Sequence, residues 1–191
     1  MPDRRLDDLR SEVWRVMALG QRLHPNAWQM PSMCDQWTVS DVFAHLAADF
    51  VRYAEWLGEA LKGNFEPPFE REALAADNAM ILERYVGISG PERLEEFEQA
   101  ANDYLVALEL IDTDMPQGNP LGTITVGEQV VWATVECAIH GWDVARAIHI
   151  EWAPPESLDR LVEVWLQRRP EPLDDTVDSW SAILMASGRE V

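Results

Sequence analysis

A carboxylate and an imidazole lie four residues apart in the second half of the sequence, at Glu136 and His140. The segment around them has helical periodicity, and positions i and i+4 of a helix lie on one face, about 6 Å apart along the axis. Carboxylate oxygen and imidazole nitrogen are both ligands of zinc. Two ligands do not usually hold a metal alone, so a third donor is expected from another segment. The best candidate is His45, two turns inside an earlier amphipathic helix.

A site made of His45, Glu136 and His140 would have three protein ligands. Three ligands leave coordination positions open for water or substrate, which is typical of catalytic zinc sites. Two other interpretations stay open from the pattern alone. Glu136 and His140 could form a surface pair of the kind common at this spacing on helices. Each histidine could instead be a hydrogen-bonded residue of the core.

Several neighbouring residues could assist such a site. Asp143 could orient His140 by a hydrogen bond, or it could form an ion pair with Arg146 or with another helix. Asp49 follows His45 by one turn and could reach a metal, although a solvated position is favoured. Arg52 could bind an acidic substrate, and a surface ion pair is the alternative.

The cysteines and tryptophans of the two segments are predicted to have simpler roles. Cys137 points about 100° away from Glu136 on the helix, so it is expected to pack in the core. Cys34 lies in a loop, where a reactive thiol is one alternative, but no neighbour in the sequence is basic enough to lower the pKa of its thiol. Trp37 is predicted to be a hydrophobic staple in front of a helix, and Trp142 a packing residue.

Helices must position these side chains, and their starts and ends are visible in the sequence. Capping boxes at Thr38/Asp41 and Thr125/Glu128 predict the starts of the helices that carry His45 and His140. Apolar residues at helical spacing predict the others. The predicted helices cover residues 3–22, 38–62, 70–86, 91–110, 126–148, 156–168 and 175–187.

These elements predict an all-α protein: a four-helix bundle with one or two extra C-terminal helices. A short extended pair is expected near residues 123–125, inside the loop at 111–126. A composition shift at Pro154 and Pro155 divides the chain into a metal-binding bundle over 1–152 and a helical extension over 153–191 that packs on the same domain. Long loops in bundles are often functional, so the loop at 111–126 and several tryptophans are expected to wall a pocket.

The formal net charge of −19 over 191 residues excludes most nucleic-acid-binding and anionic-membrane-binding proteins, which use clustered Lys and Arg. The sequence has neither an apolar run of about 18 residues nor a signal-peptide pattern. Two cysteines without short paired spacing fit a reducing compartment. We therefore expect a cytoplasmic protein.

Two stretches resemble motifs of a known family. Residues 37–46, preceded by Pro31 and Cys34, are similar to the first motif of the DinB-like superfamily, in the branch that includes the N-terminal domain of mycothiol-dependent maleylpyruvate isomerase. Residues 140–147, with Glu136 upstream, are similar to the second motif of that branch. The resemblance implies a bundle of DinB/YfiT-like type. It also implies a divalent metal, usually zinc, held by the residues matching His45, Glu136 and His140.

The same resemblance implies a metal-dependent enzyme that uses a low-molecular-weight thiol, such as mycothiol or bacillithiol, in S-transfer or thiol-assisted isomerisation of a small molecule. A metal-assisted hydrolase and a non-enzymatic metal-binding module remain alternatives. By analogy with the superfamily, a homodimer is also possible. The isomerase carries a further C-terminal domain that contributes to its active site, and residues 148–191 are expected to be too few to form one. Maleylpyruvate isomerase activity itself is therefore not expected.

Overall fold

The computed structural model describes residues 4–168 and 176–190. These residues contain seven α-helices and one two-stranded sheet. The helices are α1 (Arg4–Gly20), α2 (Val39–Leu61), α3 (Leu74–Arg84), α4 (Gly90–Leu108), α5 (Val126–Ala147), α6 (Leu158–Arg168) and α7 (Ser179–Ala186); the strands are β1 (Pro116–Asn119) and β2 (Gly122–Thr125).

Helices α1, α2, α4 and α5 form the predicted four-helix bundle. α2 packs against α4 and α5, and α1 packs against the same two helices. The bundle interior is a continuous apolar core in which aromatic rings meet edge to face, as Phe50 does with Phe97 and Tyr104. Edge-to-face contacts add stabilisation to the burial of the rings themselves. The all-α fold class is confirmed.

The helices that carry the candidate ligands begin at the two predicted capping boxes. Thr38 and Asp41 exchange side-chain to backbone hydrogen bonds at the start of α2, and Thr125 and Glu128 do so at α5. A third capping box, at Ser89, starts α4. Each box satisfies backbone N–H groups that a helix leaves without partners.

α3 differs from these helices. It begins at Leu74 rather than at residue 70, because Arg71–Ala73 form a separate 3-10 turn. Its N-cap residue, Ala73, makes no side-chain capping bond. Of the main helices, α3 packs chiefly on α2, so it lies beside the bundle rather than within it.

The predicted extended pair is an antiparallel hairpin that leads directly into α5. β1 and β2 pair from Pro116 with Thr125 to Asn119 with Gly122. Gly122 has a φ of +113°, a conformation that residues with a side chain rarely adopt. Thr123 donates a hydrogen bond to the carbonyl of Phe65, which fixes the hairpin against the start of the α2–α3 connection.

Two helices follow the bundle, at the upper limit of the sequence-based expectation. α6 packs on α5, and α7 packs on α6. Together they bury a second apolar cluster, which includes Trp132, Leu161, Trp180 and Ile183. Among the described residues, no helix has the length and apolar character needed to cross a bilayer.

Candidate metal centre

The structure brings the three predicted ligands together between α2 and α5. One potential ligand atom from each of His45, Glu136 and His140 lies within 4.8 Å of the other two. Glu136 Oε2 is 3.3 Å from His140 Nε2 and 3.9 Å from His45 Nε2. The two imidazole ring centroids are 4.7 Å apart. The surface-pair interpretation is therefore wrong, because both histidines are buried and face one carboxylate.

Small and aromatic residues lie near the two imidazoles. Ala44 and Ala47 are close to His45 in the sequence of α2 and are almost fully buried. Trp37 then lies against both imidazoles, with centroid distances of 4.8 Å to His45 and 6.0 Å to His140. The sequence predicted only a hydrophobic staple at Trp37 and not its contact with the two histidines.

A buried carboxylate fixes the orientation of His140. Asp143 is fully buried, and its Oδ2 lies 2.9 Å from His140 Nδ1, so Nε2 is left facing Glu136. Arg189, just beyond α7, donates to both carboxylate oxygens of Asp143, at 3.1 and 2.6 Å. Of the ion pairs considered for Asp143, the one with Arg146 is wrong, because the Arg146 side chain lies over the ring of Trp142. The cationic partner comes instead from the segment after α7.

A second carboxylate lies beside His45. Asp49 Oδ2 is 3.2 Å from His45 Nε2, and Asp49 accepts hydrogen bonds from Arg52 Nη1 at 3.1 Å and from Tyr53 at 3.2 Å. The solvated position predicted for Asp49 is wrong, because this face of α2 points into the bundle and leaves Asp49 5% exposed. Arg52 is also buried, so its ion pair is an internal one and not the expected surface pair.

The charges of the centre depend on one another. Burial disfavours a charged imidazole, but hydrogen bonds to Asp143 and Glu136 outweigh it and raise the pKa of His140 to about 9. Burial likewise favours a neutral Glu136, yet hydrogen bonds from His140 and His45 hold its pKa well below the ordinary value. Without a metal, Glu136 and His140 thus form an ion pair, and a cation must displace the proton of His140.

Neither cysteine supplies a thiolate. Cys34 lines the cavity beside the centre, but burial raises the pKa of its thiol to about 11. Cys137 is fully buried in the bundle core, and burial raises the pKa of its thiol well above the ordinary value. The packing role predicted for Cys137 is confirmed. At Cys34, burial outweighs the lowering effect of the Arg189 guanidinium on the pKa of the thiol.

The centre opens onto a cavity of about 540 Å³. Glu136 keeps 30% of its side chain exposed and lines this cavity, as do both histidines. Tryptophans from three segments and the β1–β2 turn form the walls, as the sequence predicted: Trp37, Trp56, Trp132, Pro120 and Leu121. Asn119 and Gln129 add a buried amide pair, joined by a hydrogen bond of 2.8 Å.

These residues fit a divalent cation. Two imidazoles and one carboxylate present their atoms to a common point, and the hydrogen bond of His140 Nδ1 to Asp143 is the arrangement that metal-ligating histidines usually have. All three donor residues line the cavity. Ligation by His45, Glu136 and His140 stays a prediction.

Comparison with known proteins agrees with the motifs. The model of the mycothiol maleylpyruvate isomerase N-terminal domain family matches residues 9–145. The chain belongs to this family. The resemblance to the DinB-like branch that residues 37–46 and 140–147 indicated is therefore confirmed.

Two crystal structures have the same fold as this chain. Both are of mycothiol-dependent maleylpyruvate isomerase, and one is a histidine-to-alanine mutant. The mutant has a TM-score of 0.66 at 16% identity, and the other structure 0.64 at 18%. Each comparison covers 88% of this chain and 68% of the other. No curated protein is significantly similar to this sequence.

Proposed function

We propose that this chain is a divalent-metal-dependent enzyme that uses a low-molecular-weight thiol, of the mycothiol or bacillithiol type, for S-transfer to a small molecule or for its thiol-assisted isomerisation. One observation carries the proposal: three metal-binding side chains from two helices meet at the wall of a cavity of about 540 Å³. Zinc accepts this mixed nitrogen and oxygen ligand set, and we take it as the cation of the proposed site.

The cavity supports an enzyme over a structural metal site. Structural zinc sites are closed by four protein ligands, whereas His45, Glu136 and His140 are three. The volume lies within the range of small-molecule pockets. A bound divalent cation supplies Lewis acidity and lowers the pKa of a thiol or water beside it.

The protein side chains have distinct parts in this proposal. His45, Glu136 and His140 hold the cation, and Asp143 keeps Nε2 of His140 directed at it. Trp37 packs against both imidazoles and limits their movement. Because the pKa of Cys34 is about 11, the cavity offers no protein thiolate at neutral pH, which supports a thiol brought in as a cofactor.

The test is the consumption of a thiol by the zinc-loaded protein in the presence of an alkylating electrophile. Mycothiol, bacillithiol and glutathione are compared with and without zinc. We expect zinc-dependent consumption of at least one thiol, and its loss in His140→Ala together with stoichiometric zinc binding. His149→Ala is the matched control, because His149 is exposed and lies outside the cavity.

Three other outcomes contradict the proposal in different ways. Zinc-dependent ester or amide hydrolysis without thiol consumption indicates a hydrolase. Stoichiometric zinc without any turnover indicates a non-enzymatic metal-binding module. Zinc retained by a helical His140→Ala, measured by elemental analysis and circular dichroism, rules out the ligand set.

A further inference from the structure

Helix α3 is the least firmly held helix next to the centre. It has 11 residues and no side-chain N-cap, and helices of this length have little stability of their own. Among the α3 side chains that the structure describes, Ile81 alone is buried. The position of α3 must therefore depend on a few contacts with α2.

The position of α3 determines the shape of the metal cavity. Leu74 and Asn78 line this cavity, while Asp77, Ile81 and Arg84 line a separate cleft of about 400 Å³. α3 is thus the partition between the two spaces. A shift of α3 would widen or narrow the room beside Glu136 and the two histidines.

A chain of polar contacts connects α3 with the candidate ligand on α2. His45 Nε2 lies 3.2 Å from Asp49 Oδ2, and Arg52 Nη1 donates to Asp49 Oδ1 at 3.1 Å. At the other end of the guanidinium, Nη2 lies 3.1 Å from Asp77 Oδ2 and donates to Asn78 Oδ1 at 2.9 Å. Arg52 therefore contacts both the carboxylate that touches His45 and the first turns of α3.

Burial makes this connection stiff at its inner end. The side chains of His45, Asp49 and Arg52 are 7%, 7% and 9% exposed. Separating Arg52 from Asp49 would leave a buried charge without its partner, which is among the costliest changes in a protein interior. Asp77 is 26% exposed, so the outer end of the chain is where the contact breaks and re-forms most easily.

We propose that Arg52 is a positioning residue that couples the metal ligand His45 to helix α3. The inference rests on the proposed metal site. A cation held by His45 restrains the imidazole, Asp49 and Arg52, and through them α3. Because coupling between two sites is reciprocal, losing the α3 contacts weakens metal binding by the same factor by which metal binding stabilises α3.

Hydrogen exchange of the α3 amides with and without zinc measures one side of this coupling. Competition with a chromophoric chelator measures zinc affinity, which is the other side. The test variant is Asp77→Ala/Asn78→Ala, which removes the outer contacts and leaves the buried Asp49–Arg52 pair intact. The control is Arg84→Gln, an exposed α3 side chain outside the metal cavity.

We expect zinc to slow α3 exchange by about fivefold or more in the wild type and in Arg84→Gln. In the double variant this zinc effect disappears, and zinc affinity falls by a similar factor. The absorption spectrum of the cobalt-substituted protein shifts as well, because His45 is held differently. A purely structural role would speed exchange equally with and without zinc, so an unchanged zinc effect, affinity and spectrum overturn the proposal.

A measurement without metal separates this inference from the proposed function. In the metal-free protein, Asp49→Asn weakens the link to Arg52, so α3 exchange should speed up while the amides of α4 stay protected. If α3 exchange is unchanged, the coupling is refuted even when zinc binds. If zinc does not bind to the wild type, the proposed function is wrong. The comparison of metal-free wild type with Asp49→Asn then still shows whether Arg52 holds α3 in place.

Discussion

Asp143→Asn is the most informative single substitution at this centre. Asp143 is fully buried and contacts both His140 Nδ1 and the guanidinium of Arg189. Asn has nearly the same shape, so the packing of α5 is retained. The negative charge is lost, and with it the preference of His140 for the orientation that directs Nε2 at Glu136.

The magnitude follows from the role of such carboxylates. Replacing a carboxylate that orients a metal-ligating histidine typically costs about 10- to 100-fold in metal affinity, or about 1.4 to 2.7 kcal/mol. Stability should fall as well, since Arg189 loses its charged partner. Because Asn still offers one oxygen as an acceptor, we expect a loss of about 1 to 3 kcal/mol in the free energy of unfolding.

Zinc affinity is measured by competition with a chromophoric chelator, and stability by urea unfolding followed through tryptophan fluorescence. Asp103→Asn is the control, because Asp103 is an exposed residue of α4 that accepts a hydrogen bond from Gln99 and lies outside the metal cavity. A folded Asp143→Asn that binds zinc as tightly as the wild type would show that Asp143 does not orient a ligand.

Two further predictions concern stability. In the metal-free protein the pKa of His140 is about 9, against an ordinary value of 6.5. Protonated His140 therefore stabilises the folded state fully below pH 6.5, and this stabilisation is lost as the pH rises through 9. The free energy of unfolding should fall over this pH range by at most about 3 kcal/mol. Urea titrations of the wild type measure this fall, and His140→Gln should lack it. Gly141→Ala would place a Cβ 2.4 Å from the ring of Trp152, so we expect it to lower the free energy of unfolding by about 1 to 3 kcal/mol. Ala186→Gly and thermal melts give the comparison; a Gly141→Ala as stable as the wild type would mean that Trp152 moves away freely.

Local signals in the sequence were enough to predict the helices and half of the site. The capping boxes at Thr38 and Thr125 depend on side chains three residues apart, so they identify helix starts without any tertiary contact. The spacing of Glu136 and His140 places them on one face of α5 by helix geometry alone. The third ligand, His45, could be inferred from its motif and its apolar helix, but its distance from Glu136 could not.

Tertiary packing decided the surroundings of these ligands. Arg189 lies 46 residues from Asp143, and no periodicity connects a residue beyond α7 with the face of α5 that it contacts. Asp49 could point to solvent or to the interior until the packing of α2 against α4 and α5 buried its side of the helix. Helical propensity and capping depend on residues that are close together in the chain, so they can be recognised from the sequence. The partners of a buried charge depend on how whole helices pack, and only the folded chain determines them.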